Sequence, residues 1–342
     1  MRSPDSIPIR ILVTGCRGKS SLVRLLCSAL AAEGVSAYGR ITGVLPREIS
    51  SRGERLILRG GPASVEEMRW WLSTLPADCG AVVLENSAVA PDLQPLAFRW
   101  LRPQCTVLVN VRPDHADAWG EGEEEAARAL CGGIEGGAVV LPCTEARKEW
   151  VGKVLSGKGC TLLPCQEGTD HRHTHLSLVR NVLRHFHLDE GRGILAAESL
   201  GPDIADFSLF RENGGILASA FSANDVESTE ELFLSTGWKR NETTVLFNSR
   251  KDRISRFRTF LPWLIANGWR RVYVAGAGPW ILPKGLKRLR VEDGEAIRET
   301  VRRERQVFGC GNVAGAPLQY LLQKTWEREG GDRLPCPIAA VK

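Results

Sequence analysis

The sequence lacks any run of apolar residues long enough to cross a bilayer. A membrane-spanning helix needs roughly 20 apolar residues, whereas the longest apolar runs in these 342 residues, such as AVVLEN and TVLVNV, have the length of strands. A signal peptide is also missing, and the ten cysteines are scattered without the spacing of a disulfide framework. We therefore expect a protein of the reducing cytoplasm that has no membrane anchor of its own.

Blocks of like charge are absent as well. The 45 Lys and Arg residues exceed the 40 Asp and Glu residues by five, and no basic run is interleaved with aromatic side chains. Because such runs are typical of nucleic-acid-binding surfaces, we expect no nucleic-acid partner. An anionic substrate is compatible with the mild positive charge. Hydrophobic residues make up 43% and charged residues 25%, which indicates a folded globular protein.

Short apolar runs alternate with amphipathic stretches along the chain. This alternation predicts a doubly wound α/β fold, in which helices cover both faces of a parallel sheet. Between Thr161 and Asn213 the alternation breaks in a His-rich stretch with one helical segment, and it resumes after Gly214. We expect a first domain at residues 1–213, whose last part, 161–213, is a connecting region, and a smaller α/β domain at residues 214–342.

The strongest local motif is the segment VTGCRGKSS at residues 13–21. It lies between an apolar strand and a helical pattern, where a phosphate-binding loop belongs. Glycines let backbone N–H groups surround phosphate oxygens, and the helix N-terminus adds a partial positive charge. Lys19 can then reach the β- and γ-phosphates of ATP, and Ser20 can bind Mg²⁺. Thr14 replaces the first glycine of the strict motif, and an ordinary glycine-rich turn is the alternative.

Two later strands end in residues suited to a metal site. Glu85 follows the buried run AVVL, and His115 follows the next predicted strand within NVRPDHAD. Because the carboxyl ends of parallel strands meet at one edge of a sheet, both residues are expected near the phosphate-binding loop. Mg²⁺ prefers oxygen ligands, so a histidine makes the combination more specific than the loop alone. A capping or hydrogen-bonding role for either residue is the alternative.

The order of the motifs resembles a known family. TGCRGKSS, then TG at 42–43 with PR at 46–47, then ENSAVAP and NVRPDHAD resemble the ligase subunit of bacterial poly-γ-glutamate synthase. This is the PgsB or CapB family, a branch of the Mur ligase superfamily. FSANDVEST at 221–229, FNSRKDR at 247–253 and FGCGN at 308–312 extend the resemblance over nearly the whole chain. It implies a P-loop ATPase domain like the central domain of Mur ligases, followed by a smaller Rossmann-like C-terminal domain.

The resemblance also implies a set of site residues. ATP would be bound by Gly15, Arg17, Gly18, Lys19, Ser20, Ser21, Asn224, Asp225 and Arg253. Mg²⁺, or Mn²⁺ in its place, would be bound by Ser20, Glu85 and His115. Catalysis would depend on Lys19, Glu85, His115 and Arg250. For the residues of the second domain, the alternative is a turn that carries surface charges.

The implied activity is ATP-dependent formation of an amide bond with release of ADP. A glutamate γ-carboxylate would be activated as an acyl phosphate and joined to the amine of another glutamate. The expected partners are therefore glutamate and the poly-γ-glutamate chain of a capsule or secreted polymer. Membrane subunits accompany the ligase in the family, which implies a location at the inner face of the membrane through such partners. A Mur-type ligase for a different amino-acid or cofactor acceptor and an ATP-binding regulatory subunit without ligase activity are the alternatives.

A second hypothesis concerns a cluster of metal-binding residue types. Five of the six histidines and two cysteines lie close together in the sequence: Cys160, Cys165, His171, His173, His175, His185 and His187. Zinc could be bound if the His-x-His-x-His run formed a strand, because its histidines would then share one face. However, the spacing of a tetrahedral site is missing. The preferred interpretation is a polar loop that leads into a helix. Many Mur-type ligases carry a modified lysine that bridges metals, and none of Lys148, Lys153 and Lys158 is assigned that role.

Overall fold

The computed structural model describes residues 4–59, 62–112, 115–142, 149–164, 171–223, 225–279 and 281–328. The chain divides into two compact units, Met1–Gly201 and Pro202–Lys342. Each unit contains its own sheet with helices packed on it. Within the described ranges, no helix combines the length and the apolar character needed to span a bilayer.

The first unit alternates strands and helices from Ile9 onward. In chain order its elements are β1 (Ile9–Thr14), α1 (Lys19–Ala32), β2 (Ala37–Ile41), β3 (Arg47–Ser50), β4 (Gly53–Leu56), α2 (Glu66–Thr74), β5 (Ala81–Glu85), α3 (Gln94–Leu101), β6 (Cys105–Leu108), α4 (Ala116–Trp119), α5 (Glu123–Gly132), β7 (Val139–Pro142), α6 (Glu149–Gly157), β8 (Thr161–Leu162), α7 (His171–His185) and α8 (Glu190–Ser199).

The described strands of this unit form a sheet in the order β4-β3-β2-β5-β1-β6-β7-β8. Strands β2 and β5 to β8 run parallel to β1 or to its neighbours, whereas β3 and β4 extend the sheet as antiparallel strands. The strand β1 is therefore flanked by β5 and β6, and all three end at the same edge. This edge carries the loop after β1 and the polar residues that follow its two neighbours.

Both faces of the sheet are covered, as β1 shows. Ile11 and Val13 belong to an apolar cluster that contains the buried face of α1, whereas Leu12 belongs to a second cluster with Met68 and Trp71 of α2. Successive side chains of a strand point to opposite faces, so a strand covered on both sides is apolar throughout. The predicted doubly wound α/β fold is confirmed.

The second unit repeats the alternation on a smaller scale. Its elements are β9 (Ser208–Glu212), β10 (Gly215–Ser219), α9 (Val226–Ser235), β11 (Thr244–Ser249), α10 (Ile254–Ala266), β12 (Arg271–Gly276), β13 (Leu286–Arg288), α11 (Gly294–Glu304), β14 (Gln306–Cys310) and α12 (Ala316–Arg328). The described strands form a sheet in the order β13-β12-β11-β14-β10-β9, in which β9 alone runs antiparallel to its neighbour.

The domain boundary expected after Asn213 falls inside a hairpin. Glu212 of β9 pairs with Gly215 of β10, and the turn between them is Asn213-Gly214, both with positive φ. Asn-Gly is a strong hairpin signal because both central residues of this turn type need that conformation. The two compact units divide at Gly201 and Pro202 instead.

The predicted connecting region contains more regular structure than one helical segment. It includes β8, α7, α8 and β9, and α7 already begins at His171. The backbone of the His-x-His-x-His run is therefore helical, so the alternation along a strand that a zinc site would need does not occur. In the part of the chain that the structure describes, no group of three or more His, Cys, Asp or Glu could hold a metal ion. Cys165 lies outside the described residues.

A buried carboxylate ties together the amino-terminal edge of the second sheet. The Glu304 side chain has no solvent exposure and accepts hydrogen bonds from the Tyr273 hydroxyl at 3.0 Å and the Thr244 hydroxyl at 3.2 Å. Arg271 Nη1 lies 3.0 Å from both carboxylate oxygens, and Arg303 Nε donates at 3.2 Å. Burial alone would raise the pKa of Glu304, but these hydrogen bonds and the charge of Arg271 outweigh it and lower that pKa.

Acid should therefore destabilise the second unit through Glu304. A carboxylate whose pKa is lowered by folding contributes stability above its unfolded pKa of about 4.3, and that contribution is lost as the pH falls through the folded pKa. We expect Glu304→Gln to cost about 2 kcal/mol of unfolding free energy at neutral pH and to reduce the loss of stability in acid. Urea unfolding as a function of pH measures both effects. Glu292→Gln, at a carboxylate with a 78% exposed side chain, is the control, and an unchanged acid profile in Glu304→Gln would contradict the assignment.

Candidate functional site

The loop between β1 and α1 has the geometry of a phosphate-binding loop. Gly18 precedes the helix with a left-handed φ of 73°, which favours glycine. Lys19 Nζ donates to the carbonyl oxygens of Gly15 at 2.6 Å and Cys16 at 3.3 Å. Its ammonium group therefore lies at the loop, next to the positive N-terminal end of α1. Arg17 belongs to the same loop and Ser21 to the first turn of the helix. These groups together are suited to binding an anion.

The Asn110 side chain fixes the other side of this loop. Its Oδ1 atom accepts hydrogen bonds from the backbone N–H of Cys16 at 3.1 Å and of Arg17 at 2.9 Å. Cys16 Sγ donates to the carbonyl oxygen of Arg112 at 3.0 Å. Asn110 is buried just beyond the end of β6, so the neighbouring strand determines the position of the loop. Loop and sheet edge thus form one rigid piece.

Ser20, Glu85 and Thr42 meet next to the phosphate-binding loop. Ser20 Oγ donates to Glu85 Oε2 at 2.8 Å, while Thr42 donates its backbone N–H to Oε2 at 3.0 Å and its hydroxyl to Oε1 at 3.1 Å. Glu85 is buried at the end of β5. A Cβ atom on Gly43 would lie 2.7 Å from Ser20 Oγ, so only glycine fits beside that hydroxyl. The first turn of α1 and the ends of β5 and β2 therefore converge on one carboxylate.

The donor atoms at this point suit a magnesium ion. Two hydroxyl oxygens and a carboxylate are hard ligands, and Mg²⁺ is usually bound by one or two carboxylates together with phosphate oxygens and water. Ser20 and Glu85, which are in contact, would hold such an ion, or Mn²⁺ in its place. No cluster of three or more acidic, imidazole or thiol ligands is present among the described residues. The phosphates of a nucleotide would have to supply the remaining ligands.

His115 lies at the same edge but has a different neighbour. It has a positive φ of 49° just before α4, and its ring packs edge-on against Trp119 with the centroids 5.0 Å apart. Trp119 Nε1 donates in turn to the carbonyl oxygen of Val89, which follows β5. The ring is thus positioned by an aromatic contact. A shared metal with Ser20 and Glu85 remains a prediction.

The second unit carries its predicted site residues at the carboxyl edge of its own sheet. Asp225 caps α9, with Oδ1 accepting from the Ser228 N–H at 2.7 Å. Arg250 follows β11 directly, and the Arg253 N–H donates to the Arg250 carbonyl in a single helical turn. Asn224 lies outside the described residues. The turn expected as the alternative is present, and nucleotide binding by Asp225, Arg250 and Arg253 remains a prediction.

His175 contacts the phosphate-binding loop, and no motif in the sequence predicts this contact. A Cβ atom on Gly18 would lie 2.5 Å from His175 Nε2 and 2.7 Å from its Cε1. The imidazole of α7 therefore packs directly on the glycine that precedes α1. No sequence spacing links residue 175 to residue 18. Thr42 and Asn110, by contrast, stand in the motifs TG and NVRPDHAD at strand ends and could have been predicted.

The cysteines show no disulfide and no metal cluster in the described ranges. Seven of them form no disulfide: Cys16, Cys27, Cys79, Cys105, Cys131, Cys160 and Cys310. Burial raises the pKa of the Cys105 thiol to about 12, which makes it a poor nucleophile. Cys143, Cys165 and Cys336 lie outside the described residues.

Comparison with known families assigns the second unit. Residues 204–326 match the family model described as the poly-gamma-glutamate synthase CapB C-terminal domain. The second unit is therefore similar to the C-terminal domain of CapB proteins. The chain is also 25% identical to PGA synthase CapB of Bacillus subtilis, over 94% of this chain and 91% of that protein. The resemblance to the PgsB or CapB family is thereby confirmed.

Two further comparisons extend this finding. The chain is 24% identical to the capsule biosynthesis protein CapB of Bacillus anthracis, over 77% of this chain and 62% of that protein. Its fold is similar to that of a bifunctional folylpolyglutamate synthase/dihydrofolate synthase from Yersinia pestis, crystallised with AMPPNP and Mn ion, with a TM-score of 0.63 at 15% identity. The alignment covers 95% of this chain and 89% of that one. The sequence similarity to CapB proteins is thus consistent with the similarity of the fold to this folylpolyglutamate synthase.

Substituting Gly18 tests the contact with His175. We expect Gly18→Ala to destabilise the first unit by about 2 kcal/mol, because alanine disfavours the left-handed conformation and its Cβ meets the imidazole. His175→Ala in the same chain should restore about 1 kcal/mol by removing the clash but not the backbone strain. Urea unfolding of the two single variants and the double variant measures the coupling. Strictly additive changes in the free energy of unfolding would contradict a direct contact between Gly18 and His175.

Substituting Glu85 and Thr42 tests the metal site. We expect Glu85→Gln to weaken Mn²⁺ binding in the presence of AMPPNP about 100-fold and Thr42→Val about tenfold. The valine variant keeps the backbone N–H bond to Glu85 and loses only the hydroxyl. Electron paramagnetic resonance of free Mn²⁺ measures the affinity, with Glu66→Gln, at an exposed carboxylate of α2, as the control. Equal affinities in all variants would place the metal elsewhere.

Proposed function

We propose that this chain is an ATP-dependent amide ligase that joins glutamate residues into poly-γ-glutamate. The observation that carries the proposal is the convergence of Ser20, Thr42 and Glu85 beside the loop that holds Lys19. That arrangement combines a phosphate site with an oxygen-ligand metal site, as ATP chemistry requires. The CapB domain and the CapB relatives support glutamate as the amino acid.

Each residue of the first unit has a distinct part in this activity. Lys19 and the N-terminal turn of α1 would bind the phosphates of ATP and neutralise the charge that builds up on them. Ser20 and Glu85 would hold Mg²⁺ or Mn²⁺, which supplies a Lewis acid for the terminal phosphate. Asn110 and Thr42 orient the loop and the carboxylate rather than touching the reactants. For His115 we propose binding of a second metal ion or contact with the acyl-phosphate region.

The reaction forms one amide bond at the expense of one phosphoanhydride bond. An oxygen of the glutamate γ-carboxylate attacks the γ-phosphorus of ATP, the bond to the β–γ bridging oxygen breaks, and ADP leaves. The neutral amine of a second glutamate then attacks the acyl carbon, the bond to the phosphate oxygen breaks, and the amine loses a proton. Both steps build negative charge, which cationic groups stabilise. We propose that Asn224, Asp225, Arg250 and Arg253 contribute to nucleotide or glutamate binding from the second unit.

The location and partners of this ligase follow from the same proposal. We propose a cytoplasmic enzyme that works at the inner face of the membrane with membrane subunits of a polymer synthase. The modest positive charge of the chain, net +5, is compatible with an acidic product. A Mur-type ligase for another acceptor would share the nucleotide site but not the response to glutamate. A regulatory subunit would bind ATP without turning it over.

Release of ADP and phosphate by the purified chain tests the function. We expect glutamate or short γ-glutamyl chains to stimulate turnover of Mg²⁺–ATP, and Lys19→Ala to reduce the stimulated rate about 100-fold or more because it removes a cation from the phosphates. Lys153→Ala, at an exposed lysine of α6, is the matched control and should behave like the unmodified chain.

Two outcomes would contradict the proposal. Stimulation by a different amino acid but not by glutamate would favour the other Mur-type ligases. ATP binding without stimulation by any amino acid, even with the membrane fraction added, would favour the regulatory subunit.

A further inference from the structure

A basic groove lies at the amino-terminal edge of the second sheet. It is a cavity of about 280 Å³ between the end of α10, the start of β12 and the start of β13. Within the second unit this edge is opposite the carboxyl ends of β10 and β11, which precede Asp225 and Arg250. The groove is therefore separate from the predicted site residues of this unit.

The groove is rich in positive charge. Arg270, Arg271, Lys284 and Lys287 line it, and none of its described lining residues is acidic. The two arginine side chains are 38% and 44% exposed and share one fully buried carboxylate, that of Glu304. Both lysines are exposed, and neither makes an ion pair with any residue that the structure describes. Four cations thus surround the cavity with one carboxylate beneath them.

The floor of the groove is apolar and rigid. Ile265, which is 49% exposed, and Trp269 provide this apolar surface, and Trp269 packs against Trp263 with ring centroids 4.8 Å apart. The strands β12 and β13 are paired in parallel, with Val272 opposite Leu286. Because this pairing fixes the backbone on both sides, the cations are held around a preformed apolar surface.

We propose that this groove binds the poly-γ-glutamate chain itself, at a position away from the reacting end. This inference rests on the proposed function and names a second contact for its product. A γ-glutamyl chain carries one free carboxylate on every residue, and methylene groups link these carboxylates. Carboxylates match the four cations, and methylene groups match the apolar floor between them. Such a contact keeps a long γ-glutamyl chain bound between successive additions of glutamate. A short chain does not make this contact.

Reversing the charge of the two lysines tests the groove. We expect Lys284→Glu/Lys287→Glu in the full-length chain to weaken binding of a long fluorescent γ-glutamyl chain roughly tenfold at physiological salt, the effect of losing two exposed ion pairs. Binding of a γ-glutamyl dimer and glutamate-stimulated ADP release should stay unchanged, because neither uses the groove. Fluorescence anisotropy measures the affinity for both chains.

A matched control separates the groove from net charge. Lys153→Glu/Arg211→Glu makes the same change of charge at exposed positions on α6 and on the far edge strand β9. Equal weakening in both double variants would overturn the proposal. So would stronger displacement of the bound chain by single-stranded DNA than by an equal charge concentration of unlabelled γ-glutamyl chain, which would assign the groove to nucleic acid. Absence of glutamate-stimulated ADP release in the unmodified chain would instead count against the proposed function. The comparison of binding affinities does not depend on that activity, so the two failures are distinguishable.

Discussion

Two polar side chains on the strands that flank β1 hold the start of α1 in place. Asn110, beyond β6, accepts hydrogen bonds from two backbone N–H groups of the loop. Glu85, at the end of β5, accepts one from Ser20 in the first turn. The phosphate-binding loop is therefore fixed from both sides by neighbouring strands. Its cation, its helix N-terminus and its oxygen ligands are held in place by these bonds, and groups that are fixed in this way stabilise charge at little cost during reaction.

The sequence was sufficient to predict the parts of the site that lie on one strand and its following turn. The apolar run before Gly15 indicated β1, and the polar residues after AVVL and TVLVNV indicated strand ends, because buried parallel strands are apolar throughout. These signals predict that Glu85 lies near Ser20, and the hydrogen bond between the two side chains confirms it. The resemblance to the CapB family added the function, which the pattern of strands and helices alone does not determine.

Contacts between distant segments could not be predicted. Nothing in the spacing brings His175 to Gly18, since α7 packs there only because of its tertiary position. The His-rich run had no clear period, and helix formation from His171 onward depends on the buried residues of α7, such as Leu178 and Val182, that pack into the core. The predicted domain boundary at residue 213 differs from the division between the two units for a similar reason. Asn-Gly turns occur both in linkers and in hairpins, and the sequence alone does not distinguish the two.

The central claim is that the γ-carboxylate of glutamate becomes phosphorylated at this site. Its most direct test is the release of phosphate by the chain with ATP and glutamate labelled with heavy oxygen in the γ-carboxylate, followed by mass spectrometry. The account expects one labelled oxygen in each phosphate formed with an amide bond, because the attacking carboxylate oxygen leaves with the phosphate. Phosphate that carries only oxygen from ATP and from water would contradict it, since ATP would then have been hydrolysed without activating glutamate.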